Sequence, residues 1–294
     1  MCKRLRIWPF VPLGSQLTST SLLAEGVITM TTTKAIGEEI CLGIKANGNV
    51  TIEGAQEAGQ ADVYGLKYYT IKSQMVVIRG DVTEFNCIFS NLTSLDVSKS
   101  AALEVLFCSD NQLTSLDVSK NTALTDLDCS WNQLASLDVS KNTALTDLGC
   151  GWNQLTSLNV SKNTALTELG CDGNQLTSLN VSRNRALITL SCGCNQLTSL
   201  DVSKNTALEE LYCSENQLTN LNISGCARLE ALFCFNNCIN GEAMTKLVNS
   251  LPDQKAMGYG TLSIVNRSSK KRDKNRCSAA DVTTAKKKNW EVRQ

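Results

Sequence analysis

The chain has 294 residues, and Lys plus Arg equals Asp plus Glu at 28 each, so its formal net charge at neutral pH is zero. This balance argues against a broad electrostatic attraction to nucleic acid or to an anionic membrane. The sequence contains no histidine, which removes the commonest general base and every histidine-ligated metal site. No stretch reaches about 18 consecutive apolar residues, so no membrane-spanning helix is predicted.

Residues 1–26 are predicted to be a leader or a disordered segment. Their basic residues precede a short apolar run that Pro9 and Pro12 interrupt, which matches a secretory signal peptide poorly. Residues 27–81 then carry segments that alternate or are rich in β-branched and apolar residues, with Gly and Asn turns between them. We interpret this region as a β-rich N-terminal cap.

Residues 82–240 are dominated by a 21-residue repeat, of which Leu124–Ala144 is one copy. Its pattern, L-x-x-L-x-C-x-x-N-x-L, places Leu124, Leu127 and Cys129 on the inward face of a short strand. The second half of the copy repeats this spacing and leaves room only for a short extended or 3-10 segment. One such coil buries too little apolar surface to stand alone, so a stacked array of about eight coils is predicted.

Two structural ladders follow from the repeat. An asparagine comes three residues after each cysteine, except that Ser90 replaces it in the first coil. Its side chain suits a turn, where we expect it to hydrogen-bond backbone groups of the next coil. The ladder residues are Cys87, Cys108, Cys129, Cys150, Cys171, Cys192, Cys213, Cys234, Asn111, Asn132, Asn153, Asn174, Asn195 and Asn216, with Asn237 last.

The coil LTDLDCSWNQLASLDVSKNTA and its neighbours resemble the 21-residue cysteine-containing repeats of internalin-like bacterial surface proteins, within the leucine-rich-repeat family. The resemblance covers residues 82–240. It implies a leucine-rich-repeat solenoid of the α/β superclass, dominated by β-structure, with a curved parallel β-ladder on its concave face and short extended or 3-10 segments on its convex face. It further implies a secreted or cell-surface protein used in adhesion or recognition, with a cytoplasmic location as the alternative.

Residues 241–294 depart from the repeat and are predicted to form an α/β C-terminal cap. Helical spacing covers Glu242–Leu251, which Pro252 ends, and a second helix follows Ser278 as its N-cap. Strands are predicted at Thr261–Val265 and Trp290–Val292. The basic run Arg267–Arg276 is interpreted as a solvated loop, with a site for an acidic partner as the alternative.

The ladder cysteines are expected to be buried thiols. In-register side chains of neighbouring strands point the same way and not at each other, so adjacent cysteines are poorly placed for disulfides. The sequence holds 14 cysteines, and Cys234 and Cys238 are close in sequence. A zinc site would need a second such pair, which is missing, so we predict no metal and no cofactor. A disulfide among the other cysteines stays open. Cys194 is expected to be the most exposed thiol of the array.

The outward positions of the strands form the candidate ligand-binding surface. It is acidic in the middle and aromatic at its sides, with Trp131 and Trp152 at the same position of successive coils. Exposed aromatic residues are typical of a binding site, although these could instead cover the strand-to-turn edge or fill gaps left by Gly149 and Gly151. The candidate site residues are Phe107, Asp126, Asp128, Trp131, Asp147, Trp152, Glu168, Tyr212 and Phe233.

These features predict a non-enzymatic, monomeric module that binds a protein, with a basic protein or peptide favoured by the acidic face. A glycan-binding module and a structural spacer without its own ligand are the alternatives. Catalysis by Asp126 with Asp128 or Asp147 is disfavoured because an open face offers no pocket that excludes water. A basic line on the outer turns has no aromatic stacking platform, so nucleic acid is not expected; it consists of Lys99, Lys120, Lys141, Lys162, Arg183 and Lys204.

Overall fold

The structure is a computed structural model that describes residues 26–59, 66–255, 258–265 and 273–293. All of the predicted leader except Gly26 lies outside the described residues. The same holds for residues 266–272, which include most of the predicted basic loop. Within the described residues no helix is long and apolar enough to cross a membrane.

The segment that precedes the repeats folds into short strands whose burial alternates. In the first of them Ile28 and Met30 are fully buried, as a half-buried strand requires. The strands are β1 (Val27–Thr32), β2 (Glu39–Ala46), β3 (Thr51–Glu53), β4 (Ala55–Glu57), β5 (Lys67–Ile71) and β6 (Met75–Arg79).

Each repeat adds one short strand to a parallel ladder. The ladder strands are β7 (Val82–Asn86), β9 (Val105–Phe107), β10 (Asp126–Asp128), β11 (Asp147–Gly149), β12 (Glu168–Gly170), β13 (Thr189–Ser191), β15 (Glu210–Tyr212) and β17 (Ala231–Phe233). Strands also form in the second half of three coils, at β8 (Leu92–Asp96), β14 (Ser199–Asp201) and β16 (Asn220–Asn222). Elsewhere in the described coils the back of the solenoid is irregular, without a 3-10 helix.

The chain after the repeats adds two helices and two strands, α1 (Gly241–Asn249), β18 (Gly260–Ser263), α2 (Ala279–Lys287) and β19 (Trp290–Arg293). Helix α2 begins with a capping box, in which the Ser278 hydroxyl accepts from the Asp281 N–H and the Asp281 carboxylate accepts from the Ser278 N–H. Both strands extend the ladder in parallel register.

Three sheets result. The largest has thirteen strands in the order β19-β18-β17-β15-β13-β12-β11-β10-β9-β7-β2-β5-β4, so the two terminal regions continue the sheet of the repeats at either end. A second sheet has the order β3-β6-β1-β8, and β14 pairs with β16 in the third. The architecture is a β-dominated solenoid with parallel strands, which confirms the predicted fold class.

Leucine and cysteine columns fill the interior. Along one coil Leu124, Cys129, Leu134 and Val139 are all fully buried, and the same positions are buried in the neighbouring coils. The eight ladder cysteines are free thiols at 0% exposure. Burial raises the pKa of the Cys150 thiol well above its ordinary value, so the column behaves as an apolar stack.

The ladder asparagines bond in the opposite direction from the one predicted from the sequence. The Asn132 side chain donates to the Cys108 carbonyl at 3.0 Å and accepts from the Leu113 N–H at 2.9 Å. Both partners belong to the preceding coil, and the expectation of the next coil was wrong. The turn orients the side-chain amide of each asparagine towards the backbone groups of the preceding coil.

A second asparagine column runs through the other turn. Asn142 donates to the carbonyls of Val118 at 2.9 Å and Asn121 at 2.8 Å, again in the preceding coil. The column ends in smaller polar groups, because Ser100 begins it and the thiol of Cys226 takes the last place, 3.3 Å from the Val202 carbonyl. The members between are Asn121, Asn142, Asn163, Asn184 and Asn205.

The C-terminal region supplies a further rung of the first asparagine column. Asn275 donates to the Cys234 and Ile264 carbonyls, both at 2.8 Å, and accepts from the Ile239 N–H at 2.8 Å. These are the contacts that a repeat asparagine makes three residues after its cysteine. Here eleven residues separate Asn275 from Ile264, which stands in the cysteine position. The region therefore acts as a ninth coil with a longer turn.

Candidate binding face

We define the strand face by three columns of outward side chains. The outer column lies three residues before each ladder cysteine and comprises Glu84, Val105, Asp126, Asp147, Glu168, Thr189, Glu210 and Ala231. The central column lies one before it and comprises Asn86, Phe107, Asp128, Gly149, Gly170, Ser191, Tyr212 and Phe233. The edge column lies two after it and comprises Phe89, Asp110, Trp131, Trp152, Gly173, Cys194, Glu215 and Asn236.

Three carboxylates follow one another along the outer column. Asp126 is in register with Asp147, and Asp147 with Glu168, so they recur at the strand spacing of about 4.8 Å. All three are half-buried. The Thr125 hydroxyl donates to the Asp126 carboxylate at 2.7 Å. At the N-terminal end of the column, Lys45 forms a 2.6 Å ion pair with Glu84.

Within the eight repeat coils, the outward positions of the strand side carry charge of a single sign. The three columns and the residues four before and one after each ladder cysteine contain no Lys or Arg. They contain twelve carboxylates, Glu84, Glu104, Asp110, Asp126, Asp128, Asp147, Glu168, Asp172, Glu209, Glu210, Glu215 and Glu230. The basic line predicted on the outer turns is exposed throughout, at the turn opposite the edge column. The strand side of the coils is therefore acidic although the net charge of the chain is zero.

The edge column has a left-handed backbone in every coil. Trp131 has a φ of 57° and Trp152 a φ of 55°, and the other members lie between 52° and 63°. This conformation suits Gly or Asn and costs other residues about 1–2 kcal/mol. The backbone conformation of this turn therefore does not favour tryptophan. It also ends the alternation of the strand and turns the exposed Cys194 away from the buried Cys192.

Trp131 and Trp152 form a stacked pair on the surface. Their ring centroids lie 4.6 Å apart with an interplanar angle of 11°, and the side chains are 40% and 41% exposed. A Cβ at Gly173 would lie 2.5 Å from the Trp152 ring, so that ring rests on the Gly173 backbone. Gly173 was not among the sequence candidates, although its place in the edge column, next to Trp152, could have indicated it.

A trough of small residues lies beside the tryptophan pair. Gly149, Gly170 and Ser191 follow one another in the central column. A Cβ at Gly170 would meet nothing closer than the Leu148 carbonyl oxygen at 4.0 Å. At Gly149 the space is partly taken by Asp128, whose carboxylate would lie 2.8 Å from such a Cβ.

Aromatic side chains bound the trough at both ends. Phe107 is in register with Asp128 on one side. On the other, Tyr212 and Phe233 stack with centroids 5.0 Å apart, and the Tyr212 hydroxyl donates to Glu210 at 2.8 Å. The structure thus places all nine sequence candidates on the strand face. It divides them into an acidic outer row, two aromatic stacks and single side chains at Phe107 and Asp128.

The described residues offer no group of three cysteine or carboxylate side chains placed to hold a metal ion. A shallow depression at the C-terminal end of the edge column is lined by Glu215, Asn236 and Lys274, among others. Asp273 reaches this place from the C-terminal region and accepts from the Asn236 N–H at 2.7 Å.

Solved structures similar to this chain are leucine-rich-repeat proteins. The functional domain of InlJ from Listeria monocytogenes, which includes a cysteine ladder, shares 30% identity at a TM-score of 0.53 over 74% of this chain and 50% of that one. A Leptospira interrogans leucine-rich-repeat protein shares 24% at 0.56, over 67% and 50%. The internalin InlF from Listeria monocytogenes shares 22% at 0.53, over 66% and 55%. No family model and no curated protein matches the chain.

The chain is a leucine-rich-repeat solenoid. Its 21-residue repeats and cysteine column are internalin-like, as the sequence predicted, and the likeness to InlJ includes the cysteine ladder. The chain spans about half the length of these solved structures. The similarity therefore does not assign the functions of those whole proteins to this chain.

Proposed function

We propose that this chain is a non-enzymatic recognition module that holds a protein ligand on its strand face. Its architecture is that of a protein-interaction repeat module, as in the neighbouring structures. The observation that carries the proposal is the stacked, exposed Trp131–Trp152 pair within a surface of one charge sign. Exposed aromatic anchors of this kind dominate binding energy at interfaces. The charge favours a basic protein or peptide.

The setting of the module is part of the same proposal. We infer a monomer that belongs to a secreted or surface protein of a bacterium and serves in adhesion or recognition. Its support is the likeness to InlJ of Listeria monocytogenes. We also propose the division into an N-terminal cap at 27–81, an array at 82–240 and a C-terminal cap at 241–294.

A glycan is the second candidate ligand, because stacked tryptophans beside carboxylates also suit the face of a sugar ring. Salt separates the two. Attraction between a basic protein and surface carboxylates weakens with ionic strength, whereas stacking on a sugar does not. A spacer without a ligand would instead tolerate substitutions evenly across the strand face.

The test is a capture experiment with the full chain and a Trp131→Ala/Trp152→Ala variant. Both are immobilised, checked for equal thermal stability, and exposed to extracellular-matrix, epithelial-surface and cell-envelope extracts. Phe89→Ala is the matched control, since Phe89 is a 53% exposed aromatic of the same column at the far end. We expect a protein retained by wild type and Phe89→Ala and lost from the tryptophan variant.

Retention by all three proteins would place the binding site away from the tryptophan pair. Absence of any retained protein from every extract would favour the spacer. Retention that survives high salt and competes with free oligosaccharide would favour the glycan.

A further inference from the structure

We propose that the strand face binds an extended, arginine- or lysine-bearing polypeptide segment that runs along the ladder, with one cationic side chain stacked on Trp131. This inference rests on the proposed function and specifies the chemistry and path of its ligand. Three features carry it: the one ring face that the tryptophan stack leaves open, the spacing of the carboxylates, and the low floor between them.

The stack is closed on one side and open on the other. One face of Trp152 lies against Trp131 and the other rests on the Gly173 backbone. Trp131 therefore presents the remaining ring face, on the side of the preceding coil. There the edge column holds Asp110, and Asp128 lies three residues before Trp131 on the same coil. An aromatic face on an acidic surface suits a guanidinium or ammonium group.

The row of outer carboxylates is long enough for two cationic side chains of an extended chain. Asp126, Asp147 and Glu168 occupy successive rungs, so the row is about 10 Å long. Side chains on one face of an extended chain recur every two residues, or about 6.7 Å, so two cations fit along the row. A path along the ladder meets no cationic side chain within the eight coils, because none of the five outward positions of any coil carries Lys or Arg.

The floor allows the ligand backbone to approach. Gly170 leaves open space between the carboxylate row and the tryptophan edge, and at the neighbouring Gly149 only the Asp128 side chain enters that space. Glycine at such a place permits close contact with another backbone. The same column carries Phe107, Tyr212 and Phe233 in other coils, so bulky side chains fit this position of the fold.

The experiment measures fluorescence anisotropy of a labelled peptide, about eight residues long, in which arginine and serine alternate. The full chain is titrated into it at low ionic strength. A glutamate–serine peptide and a neutral chitin oligosaccharide are the comparison probes. We expect saturable binding of the arginine peptide alone.

Three variants locate the peptide. Gly170→Tyr fills the floor without changing charge and copies the native residue of Tyr212. Trp131→Ala removes the open ring face. Asp126→Asn/Asp147→Asn/Glu168→Gln neutralises the row. We expect each to weaken peptide binding about tenfold.

The control neutralises the same number of charges on the outer turns, as Asp96→Asn/Asp117→Asn/Asp138→Asn. These aspartates accept the N–H of the serine two residues on, and Asn159 and Asn180 do the same in their coils, so the change copies the native repeat. We expect less than a twofold loss of affinity.

The inference is overturned if wild type does not bind the arginine peptide, if the control loses as much affinity as the face variant, or if Gly170→Tyr has no effect. Saturable binding of the oligosaccharide alone would also overturn it. A protein captured through the tryptophan pair would, in each of these cases, leave the proposed function standing. The two can therefore fail separately.

Discussion

Inward and outward side chains alternate along the same strands, yet they vary differently from coil to coil. Leu127, Leu148 and Leu169 are identical and buried, whereas their outward neighbours change from Asp128 to Gly149 and Gly170. Every inward side chain packs against its own copy in the next coil, so a change at one rung disturbs two interfaces. An outward side chain contacts at most its surface neighbours, as in the Trp131–Trp152 and Tyr212–Phe233 stacks, so a change there leaves the core intact. Stacking thus fixes the interior, and the strand face is where this chain differs from a plain repeat.

Thiol chemistry gives the largest expected contrast between the two regions. Cys194 is exposed, while the ladder thiols are fully buried and the pKa of Cys171 is raised well above its ordinary value by burial. A ladder thiol must await an opening that costs several kcal/mol, which slows its reaction by about a thousandfold or more. We expect Cys194→Ser to lose one fast-reacting equivalent in titration with a chromogenic disulfide, with the slow phase unchanged. Unaltered fast labelling would contradict this.

The two asparagine columns differ in how fully they are bonded. Replacing Asn132 with Ala leaves the Leu113 N–H without its acceptor and removes one of the two amide donors to the Cys108 carbonyl, which still accepts from Asn111 at 3.1 Å. The change should reduce the free energy of unfolding by roughly 2–4 kcal/mol. The Asn142 side chain donates only to carbonyls, and its amide oxygen has no hydrogen-bond partner within the described part of the chain. Since a carbonyl tolerates under-bonding better than an N–H, Asn142→Ala should cost about 2 kcal/mol. Urea unfolding followed by circular dichroism checks the order, and equal losses would refute it.

Two glycines of one coil, Gly170 and Gly173, differ in backbone conformation and in the space that a side chain would have. Gly173 has a φ of 63°, and a Cβ there would lie 2.5 Å from the Trp152 ring. Gly173→Ala should therefore reduce stability by about 1–3 kcal/mol and weaken the near-ultraviolet signal of the tryptophan stack. Gly170→Ala, which meets nothing closer than 4.0 Å, should stay within about 0.5 kcal/mol of wild type. Similar effects of both changes would show that the stack does not depend on Gly173.

The smallest effect concerns acid stability of the outer turns. A hydrogen bond from the Ser119 N–H lowers the pKa of Asp117, and the Ser140 N–H does the same for Asp138. A lowered folded-state pKa contributes stability above the unfolded value, which is lost as pH falls below about 4. Both groups are highly exposed, so the loss should be roughly a few tenths of a kcal/mol. Asp117→Asn/Asp138→Asn should flatten this part of the pH–stability curve, and an unchanged slope would contradict the assignment.

Much of the fold could be read from the sequence because its cause is periodic. The 21-residue spacing of cysteines and the L-x-x-L-x-C pattern determine which side chains face inward, and stacking then follows. The N-cap of α2 at Ser278 could also be predicted, since a helix cap involves only the next few residues. The acidic row and the tryptophan column also follow from alignment of the coils.

The direction of the asparagine bonds and the role of Asn275 could not be read in the same way. Asn275 takes the place of a ladder asparagine although 41 residues separate it from Cys234, whose carbonyl it binds. No spacing in the sequence marks it, because the longer turn of the ninth coil hides the repeat. Such contacts depend on which backbone groups the folded chain leaves unpaired.

The sequence by itself determined the solenoid, its inward columns, its termini of mixed structure and the set of side chains on the strand face, because these depend on short-range periodicity. Only the tertiary structure decided that Trp131 and Trp152 stack, that Gly173 supports them, and that Gly149 and Gly170 leave a trough beside the carboxylates. These depend on the left-handed backbone of the edge column and on distances between coils. A sequence pattern carries side-chain identity and order, whereas the angle at which each coil presents them is fixed by the packing of its neighbours.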